Sequence, residues 1–560
     1  MATQASSDPA PPASAAAGLN GIKSNLRVPK RTISGGNSQS WRKKKTKREK
    51  NITEGSSEEV LRYDIEALLE SRGLLPSDEA EAEAGAETEA EAEDDLPAPG
   101  TEVEVEVLEL SSTGDGLAMR PGSGQVYVVP FTVPGDVARV KVYRHLRGER
   151  QTVADFVSIA KPSPLRDDSR VRCKYFSRCG GCQFQMLDYA EQLNLKKRIV
   201  DKAFRNFANL PAELVPPIQD TIGSPLQYGY RTKLTPHFDG PAGHRQARKK
   251  QEKPKFESCP DIGFMVKGQR RVMDIEDCPI GTNVVRLGMS RERERMHRDF
   301  GTYSRGATIL LRENTQRFAA EDAASAPLRD QLPPHTVRAD GPAGAVDIKT
   351  CETDSKATTH EYIDSHHFTN PAGSFFQNNN SILPVFTSHV REHVLPPPSS
   401  SSSSSEIKYL IDAYSGSGLF TITLASVFQH STGIDIAADS IASARHNASL
   451  NGLTEDRCKF IAADAGELFK NVEYNPDETV VILDPPRKGC DASFLEQLRR
   501  FGPKRVVYVS CNVHTQARDV GVLVRGEGEG RRYEIESLRG FDFFPQTGHV
   551  EGFAILNRVD

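Results

Sequence analysis

Between residues 408 and 512 five short β-forming runs recur, at 408–413, 431–434, 459–463, 480–483 and 506–509, each ending on polar residues and separated from the next by helical pattern. This alternation leaves few folds open. It predicts parallel strands joined by crossover helices, with the sheet covered on both faces. Open α/β sheets bind ligands at the carboxyl ends of their strands, so the residues where the runs stop are the functional candidates. The first run leads into Asp412-Ala413-Tyr414-Ser415-Gly416-Ser417-Gly418, a turn whose glycines let a ligand approach the backbone. The second stops at Asp435, the third at Asp464 and the fourth at Asp484-Pro485-Pro486-Arg487. The fifth, Arg505 to Asn512, ends on the thiol of Cys511. Two further runs, 533–538 and 550–557, are expected to pair antiparallel through a Phe/Gly/Pro loop.

Taken singly these signals are weak. A lone cysteine is more often packing than chemistry, and the third glycine of a dinucleotide fingerprint is here Thr421. No Walker lysine follows the turn. Asp435, about twenty residues on, lies where an acid holds ribose hydroxyls. The glycine turn, the ribose acid, a further acid after the third strand and Asp-Pro-Pro after the fourth together resemble an S-adenosylmethionine methyltransferase. A nicotinamide enzyme is the second choice, though Asp-Pro-Pro-Arg is no dehydrogenase signature.

Cys511 narrows the acceptor atom. An amine nitrogen has a lone pair and needs no enzymic nucleophile, whereas carbon 5 of a pyrimidine has none. A thiolate that adds to carbon 6 pushes electrons onto carbon 5, which can then take a methyl group. A base must afterwards remove the carbon-5 proton. Cys511 and Glu551, in Gln546-Thr547-Gly548-His549-Val550-Glu551-Gly552, fit that pair. His549 either orients Glu551 or packs, and Arg487 is a phosphate contact or an ion-pair partner.

Asp484-Pro485-Pro486-Arg487-Lys488-Gly489, Ser510-Cys511-Asn512 and His549-Val550-Glu551-Gly552, in this order, resemble the uracil-5-methyltransferase family that modifies tRNA and ribosomal RNA. The likeness extends over most of residues 101–560. It implies Cys511 as nucleophile, Glu551 as proton acceptor, and Gln377, Tyr414, Asp435, Asp464 and Asp484 as residues binding S-adenosylmethionine. Phe375-Phe376-Gln377 and the tail point within the family to the enzymes that make 5-methyluridine at position 54 of the tRNA TΨC loop. A ribosomal-RNA target is the alternative. A cytosine-5 enzyme would carry a Pro-Cys pair where this chain has Pro485-Pro486. An RNA-folding factor with secondary catalysis is the competing class.

Upstream, residues 101–110 alternate Val with Glu, the period of a half-exposed strand, and further strands are expected at 125–130, 137–143 and 152–159. Gly114-Asp115-Gly116-Leu117-Ala118 and the basic stretch 141–150 resemble a TRAM domain, an OB-like RNA-binding β-barrel. Cys173, Cys179 and Cys182, with glycines between the last two, read as a metal knuckle that needs one more ligand. Cys278 is the candidate for the fourth and Cys259 the runner-up. A zinc ion and a metal-free turn both stay open. The knuckle looks like the iron–sulfur site of the bacterial ribosomal-RNA branch, which implies a [4Fe–4S] cluster. Helices are expected at 192–207 and 381–394, and a strand-rich, basic and aromatic region from 228 to 311. The stretches 241–255, 319–344 and 396–405 read as loops.

Nine cysteines without a secretory signal suit thiol chemistry in an intracellular protein, in nucleus or cytoplasm, with the mitochondrion left open. The net charge of −5 hides a basic run, Trp41 to Arg48, and an acidic one over 79–95. The fold expected is α/β: a disordered tail over 1–98 with one short helix near 58–71, a TRAM-like barrel over 99–162, a β-rich RNA-binding domain over 163–365 and a Rossmann-like methyltransferase domain over 366–560. The partner expected is tRNA. No membrane is expected, and the chain is expected to act as a monomer.

Overall fold

A computed structural model describes residues 53–74, 96–241, 254–397, 406–463, 469 and 472–559. The expected basic and acidic runs, Asp464 and most of the loops at 241–255 and 396–405 lie outside the described residues. Among the described residues no helix is long and apolar enough to cross a membrane.

Helix α1 (Ser57–Ser71) opens the described chain. Ser56 caps it by accepting from the Glu59 amide, and Glu59 reaches back to the Gly55 amide at 2.8 Å. Strands β1 (Glu102–Leu110), β2 (Gly116–Met119), β3 (Val126–Val129), β4 (Val137–Leu146) and β5 (Gln151–Lys161) close into a barrel in the order β1-β2-β3-β5-β4. The Val/Glu alternation of β1 becomes burial alternation: Val105 and Val107 join the barrel core while Glu102 and Glu104 face outward. Ile65, Leu68 and Leu69 of α1 pack on Leu117, Met119, Val126 and Val128 of the barrel, so this part of the expected tail is docked.

The cysteine knuckle and helix α2 (Tyr189–Phe207) follow. The central region holds short strands β6 (Lys233–Leu234), β7 (His237–Phe238), β8 (Gly263–Met265) and β9 (Val272–Asp274), then helix α3 (Asn283–Asp299). This helix corrects the strand-rich expectation for 228–311. Its sequence is so charged that only Val284, Val285, Gly288, Met289, Glu292 and Met296 are buried, a stripe too thin to stand out as helical. Beyond it come β10 (Ala307–Thr308), β11 (Leu311–Phe318), β12 (Val337–Asp340), β13 (Val346–Glu352) and the hairpin β14 (Thr358–Ile363) with β15 (His366–Pro371). The loop expected over 319–344 thus contains β12, which pairs with β13.

The carboxyl-terminal half runs α4 (Leu383–His393), β16 (Tyr409–Ala413), α5 (Leu419–Thr423), β17 (His430–Asp435), α6 (Ala438–Leu450), β18 (Cys458–Ala462), β19 (Thr479–Leu483), α7 (Ala492–Phe501), β20 (Arg505–Ser510), α8 (Val513–Arg525), β21 (Arg532–Phe541) and β22 (Glu551–Val559). These strands form one seven-stranded sheet, β18-β17-β16-β19-β20-β22-β21. The first five are parallel and β22 runs antiparallel to both its neighbours. Successive residues feed opposite layers, which is why the runs read as continuously apolar. Leu410, Val480, Ile482, Val507 and Val509 pack with α4 and α6, whereas Ile411, Val481, Leu483, Val506 and Tyr508 pack with α2, α7 and α8. The strand order reverses at β16, whose neighbours are β17 and β19, and the crevice outside that reversal is where such sheets take ligands.

Candidate active site

Four loops converge on this crevice. The first follows β16. Tyr414, Gly416 and Gly418 all have positive φ, at 66°, 53° and 92°, so the chain curls tightly and leaves open space where a Gly416 side chain would project. Asp435, at the end of β17, accepts from the Gly416 amide at 3.0 Å and the Ala437 amide at 2.8 Å. Below the turn, buried Asp412 accepts from the amide and hydroxyl of Thr421 at 3.0 and 2.7 Å. Thr421 therefore fastens α5 to β16 by hydrogen bonds where a dinucleotide fold uses a close-packed glycine. The turn was legible in the sequence, but the role of Asp412 was missed. Burial lifts its carboxyl to about 7, and its Oδ1 has no partner.

The other loops follow β19 and β20 and precede β22. The register pairs Ser510 with Gly552, so its continuation by one residue sets Cys511 beside Glu551, across the seam between β20 and β22. Asp484 leaves β19 on the other side of β20. Proximity appears in the electrostatics: burial pushes the Cys511 thiol up to about 12, the Glu551 and Asp484 carboxylates push the same way, and the Arg487 guanidinium opposes them. Burial and the Asp412 carboxylate raise the Asp484 carboxyl to about 7, while burial and the Asp484 carboxylate raise that of Glu551. Glu551 is 1% exposed and its Oε2 has no partner. The crevice thus collects Asp412, Asp435, Asp484 and Glu551 around unpartnered buried oxygens, a donor set suited to a ligand carrying positive charge. Arg487 meets His549 Nδ1 at 3.3 Å, and the His549 ring stands edge-on to Phe544. The His549 ring thus both packs on Phe544 and meets the Arg487 guanidinium.

Gln377 is half-buried in the segment between β15 and α4, beside Asn378, whose carbonyl accepts from the Thr232 amide at 2.9 Å. Phe375, two residues before Gln377, is 77% exposed. Tyr414 stacks obliquely on Phe494 at 5.3 Å.

The loop into Glu551 is pinned from below. Lys196 of α2 and Asp542 are both fully buried and paired, and Tyr189 donates to the same carboxylate at 3.0 Å. Gln546, in a left-handed conformation, accepts through its carbonyl from the amides of Gln183 and Phe184. The Gln183 side chain also accepts from the Gly548 amide at 2.9 Å and donates to the Thr113 carbonyl at 2.8 Å. The knuckle is therefore joined directly to the loop that carries Glu551. Its thiols are brought together: Cys182 feels Cys278, Cys179 and Cys173, and Cys278 feels Cys173 and Cys179. Cys259 faces Arg293, Asp274 and Asp261 instead. Among the described residues the group with all its ligand atoms within 4.8 Å is His389, Glu392 and His393, so the four sulfurs stand farther apart than one zinc ion draws them.

The family model for tRNA (Uracil-5-)-methyltransferase matches residues 365–559, and the TRAM domain model matches residues 98–148. A tRNA (uracil(54)-C(5))-methyltransferase of Schizosaccharomyces pombe is 44% identical over 451 residues, 80% of this chain and 77% of its own length. The protein of that name from Saccharomyces cerevisiae is 39% identical over 483 residues, 81% of this chain and 73% of its own length. The crystal structure of a Pyrococcus abyssi tRNA (uracil-54, C5)-methyltransferase in complex with S-adenosyl-L-homocysteine superposes with a TM-score of 0.54. It shares 22% identity and covers 81% of this chain and all of its own, a likeness of fold.

Proposed function

The chain belongs to the tRNA (uracil-5-)-methyltransferase family, and we propose that it methylates carbon 5 of uridine 54 in the TΨC loop of tRNA, with S-adenosylmethionine as donor. The observation that carries this reading is the adjacency of Cys511 and Glu551 across β20 and β22, at the strand ends that also hold the glycine turn. When bound, the donor supplies an electrophilic methyl group on a positively charged sulfur. The acid-lined crevice fits that charge, and the open space above Gly416 fits a nucleoside laid on the turn. Asp435 would hold the ribose hydroxyls, with Gln377, Tyr414 and Asp484 around the remainder, and the family likeness adds Asp464 to this set.

Cys511, once it has given its proton to solvent, adds as the thiolate to carbon 6 of the uracil, and the electron pair of the 5,6 double bond moves toward O4. Carbon 5, now nucleophilic, takes the methyl group. Glu551 then removes the carbon-5 proton, the double bond re-forms and the sulfur leaves carbon 6. The barrel, which matches the TRAM description, is the surface we assign to RNA. The test is methylation of a tRNA transcript followed by nucleoside mapping. Methylation of ribosomal RNA with no 5-methyluridine in tRNA would move the target.

Asp435→Asn keeps the size of the side chain and removes its charge. Losing a charge-assisted hydrogen bond costs about 1.5–3 kcal/mol. S-adenosylhomocysteine should therefore bind roughly tenfold or more weaker by calorimetry, and unchanged binding would remove Asp435 from the site. The spread of Cys173, Cys179, Cys182 and Cys278 suits a [4Fe–4S] cluster better than a single zinc ion. Protein purified without oxygen should carry iron and absorb visible light, and iron-free protein of full activity would leave the thiols a structural turn.

A further inference from the structure

The cap residue of α8, Asn512, and two of its side chains, Thr515 and Arg518, hold the loop that carries Arg487. Asn512 donates to the Arg487 carbonyl at 2.9 Å and Thr515 donates to it at 3.2 Å. Arg518 donates to the Lys488 carbonyl at 3.0 Å and the Cys490 carbonyl at 3.3 Å. All three also touch the turn before α1. Asn512 donates to the Gly55 carbonyl at 3.2 Å, and Arg518 pairs with Glu54 at 3.0 Å. Gly55 lies so close to Thr515 that an added Cβ would come within 2.3 Å of the Thr515 methyl carbon. The left-handed φ of Gly55, +69°, and the bond from its amide to Glu59 hold the turn in this position.

The far end of the same element is fixed to the barrel and to α2. Asp64, fully buried, accepts from the Ser112 amide and hydroxyl at 2.5 and 3.1 Å and faces Lys202 at 3.6 Å. Tyr63 meets Phe207 edge-on at 5.0 Å, and Phe207 meets His514 of α8 at 5.1 Å.

We propose that the Glu54–Gly55 turn and helix α1 form a clasp that positions the catalytic loops: the clasp sets Asn512, Thr515 and Arg518, these set the backbone of Arg487, and Arg487 faces Cys511. This rests on the reading of Cys511 as nucleophile. Gly55 and Thr515 are positioning residues, since neither reaches the reacting atoms. A catalytic group displaced by about 1 Å can cost on the order of 100-fold in rate, whereas tRNA held by the barrel has no reason to bind less well.

The test is Gly55→Ala in the full chain. The added methyl pushes against Thr515, and kcat for tRNA methylation should fall about tenfold with KM for tRNA unchanged. Thr515→Ser removes the obstructing methyl and keeps the hydroxyl, so the double variant Gly55→Ala/Thr515→Ser should regain the part of kcat lost to that contact, while the left-handed φ of residue 55 keeps the alanine strained. Thermal melting of each variant shows whether it folds. If Gly55→Ala does not fold, Glu59→Ala, which frees the Gly55 amide, should give the same fall in kcat. Wild-type kcat in the folded single variant, or a rise in KM for tRNA with kcat unchanged, overturns the clasp. A wild-type protein that methylates no RNA overturns the reading of the site instead, so the two failures are separate.

Discussion

Cys511→Ala should abolish methylation, with a fall on the order of 10⁴-fold or more, the scale seen when a covalent nucleophile is removed. No other described thiol can substitute. Cys490, the nearest in sequence, is buried against Tyr508 and Asp519 on the layer occupied by α7 and α8. Incubation with RNA containing 5-fluorouridine checks the mechanism directly. Fluorine on carbon 5 leaves Glu551 no proton to take, so the wild-type protein should stay covalently joined to the RNA and the variant should not. The same adduct with Cys511→Ala would reassign the nucleophile. A variant that loses methylation but still binds and refolds tRNA separates the enzyme from a pure folding factor. The pH dependence has a definite sign. The thiol, pushed up to about 12 by burial and by the Glu551 and Asp484 carboxylates, is almost wholly protonated near neutrality, so adduct formation should climb with pH through the neutral range.

The strand ends were legible because the sheet is buried on both faces, so each run is continuously apolar and its stop is abrupt. The turn at Tyr414 to Gly418 and Asp435 stand where that pattern put them. The neighbour order was not legible. Insertion of β22 between β20 and β21 brings Glu551 to Cys511, and no local signal specifies it; the family likeness supplied the pair. Helix α3 was hidden by its charge. Asp412 looks in sequence like any strand residue, and only its burial beneath the turn distinguishes it. The cysteine knuckle was visible from its spacing, but its tie to the Glu551 loop through Gln183 and Gln546 joins residues too distant in sequence for any pattern to register. The contact of Asn512 with Gly55 spans 457 positions and was equally hidden.

Glu551→Gln should separate the two halves of the reaction. Glutamine fills the same space at the start of β22 but cannot take a proton at the reaction's pH. When ionised, Glu551 is one of the two carboxylates that push the Cys511 thiol up, and glutamine carries no charge, so attack on carbon 6 should be no slower than in the wild type. Methyl transfer to carbon 5 then proceeds, and the reaction stops with the methylated ring still joined to Cys511. Ordinary uridine-containing tRNA, with no fluorine, should accumulate as a denaturation-resistant RNA–protein adduct, while turnover falls about 10²–10⁴-fold, the usual contribution of a positioned base. Burial and the nearby Asp484 hold the Glu551 proton tightly and Arg487 acts against them, so in the wild type release should quicken with rising pH until the carboxyl is ionised. The variant, having no carboxyl to ionise, should lose that dependence. An adduct that fails to form would place Glu551 before the methyl transfer, as a group that orients the nucleophile. Full turnover would pass the proton to another base, and Asp484, with its own raised carboxyl at the end of β19, is the group placed to receive it.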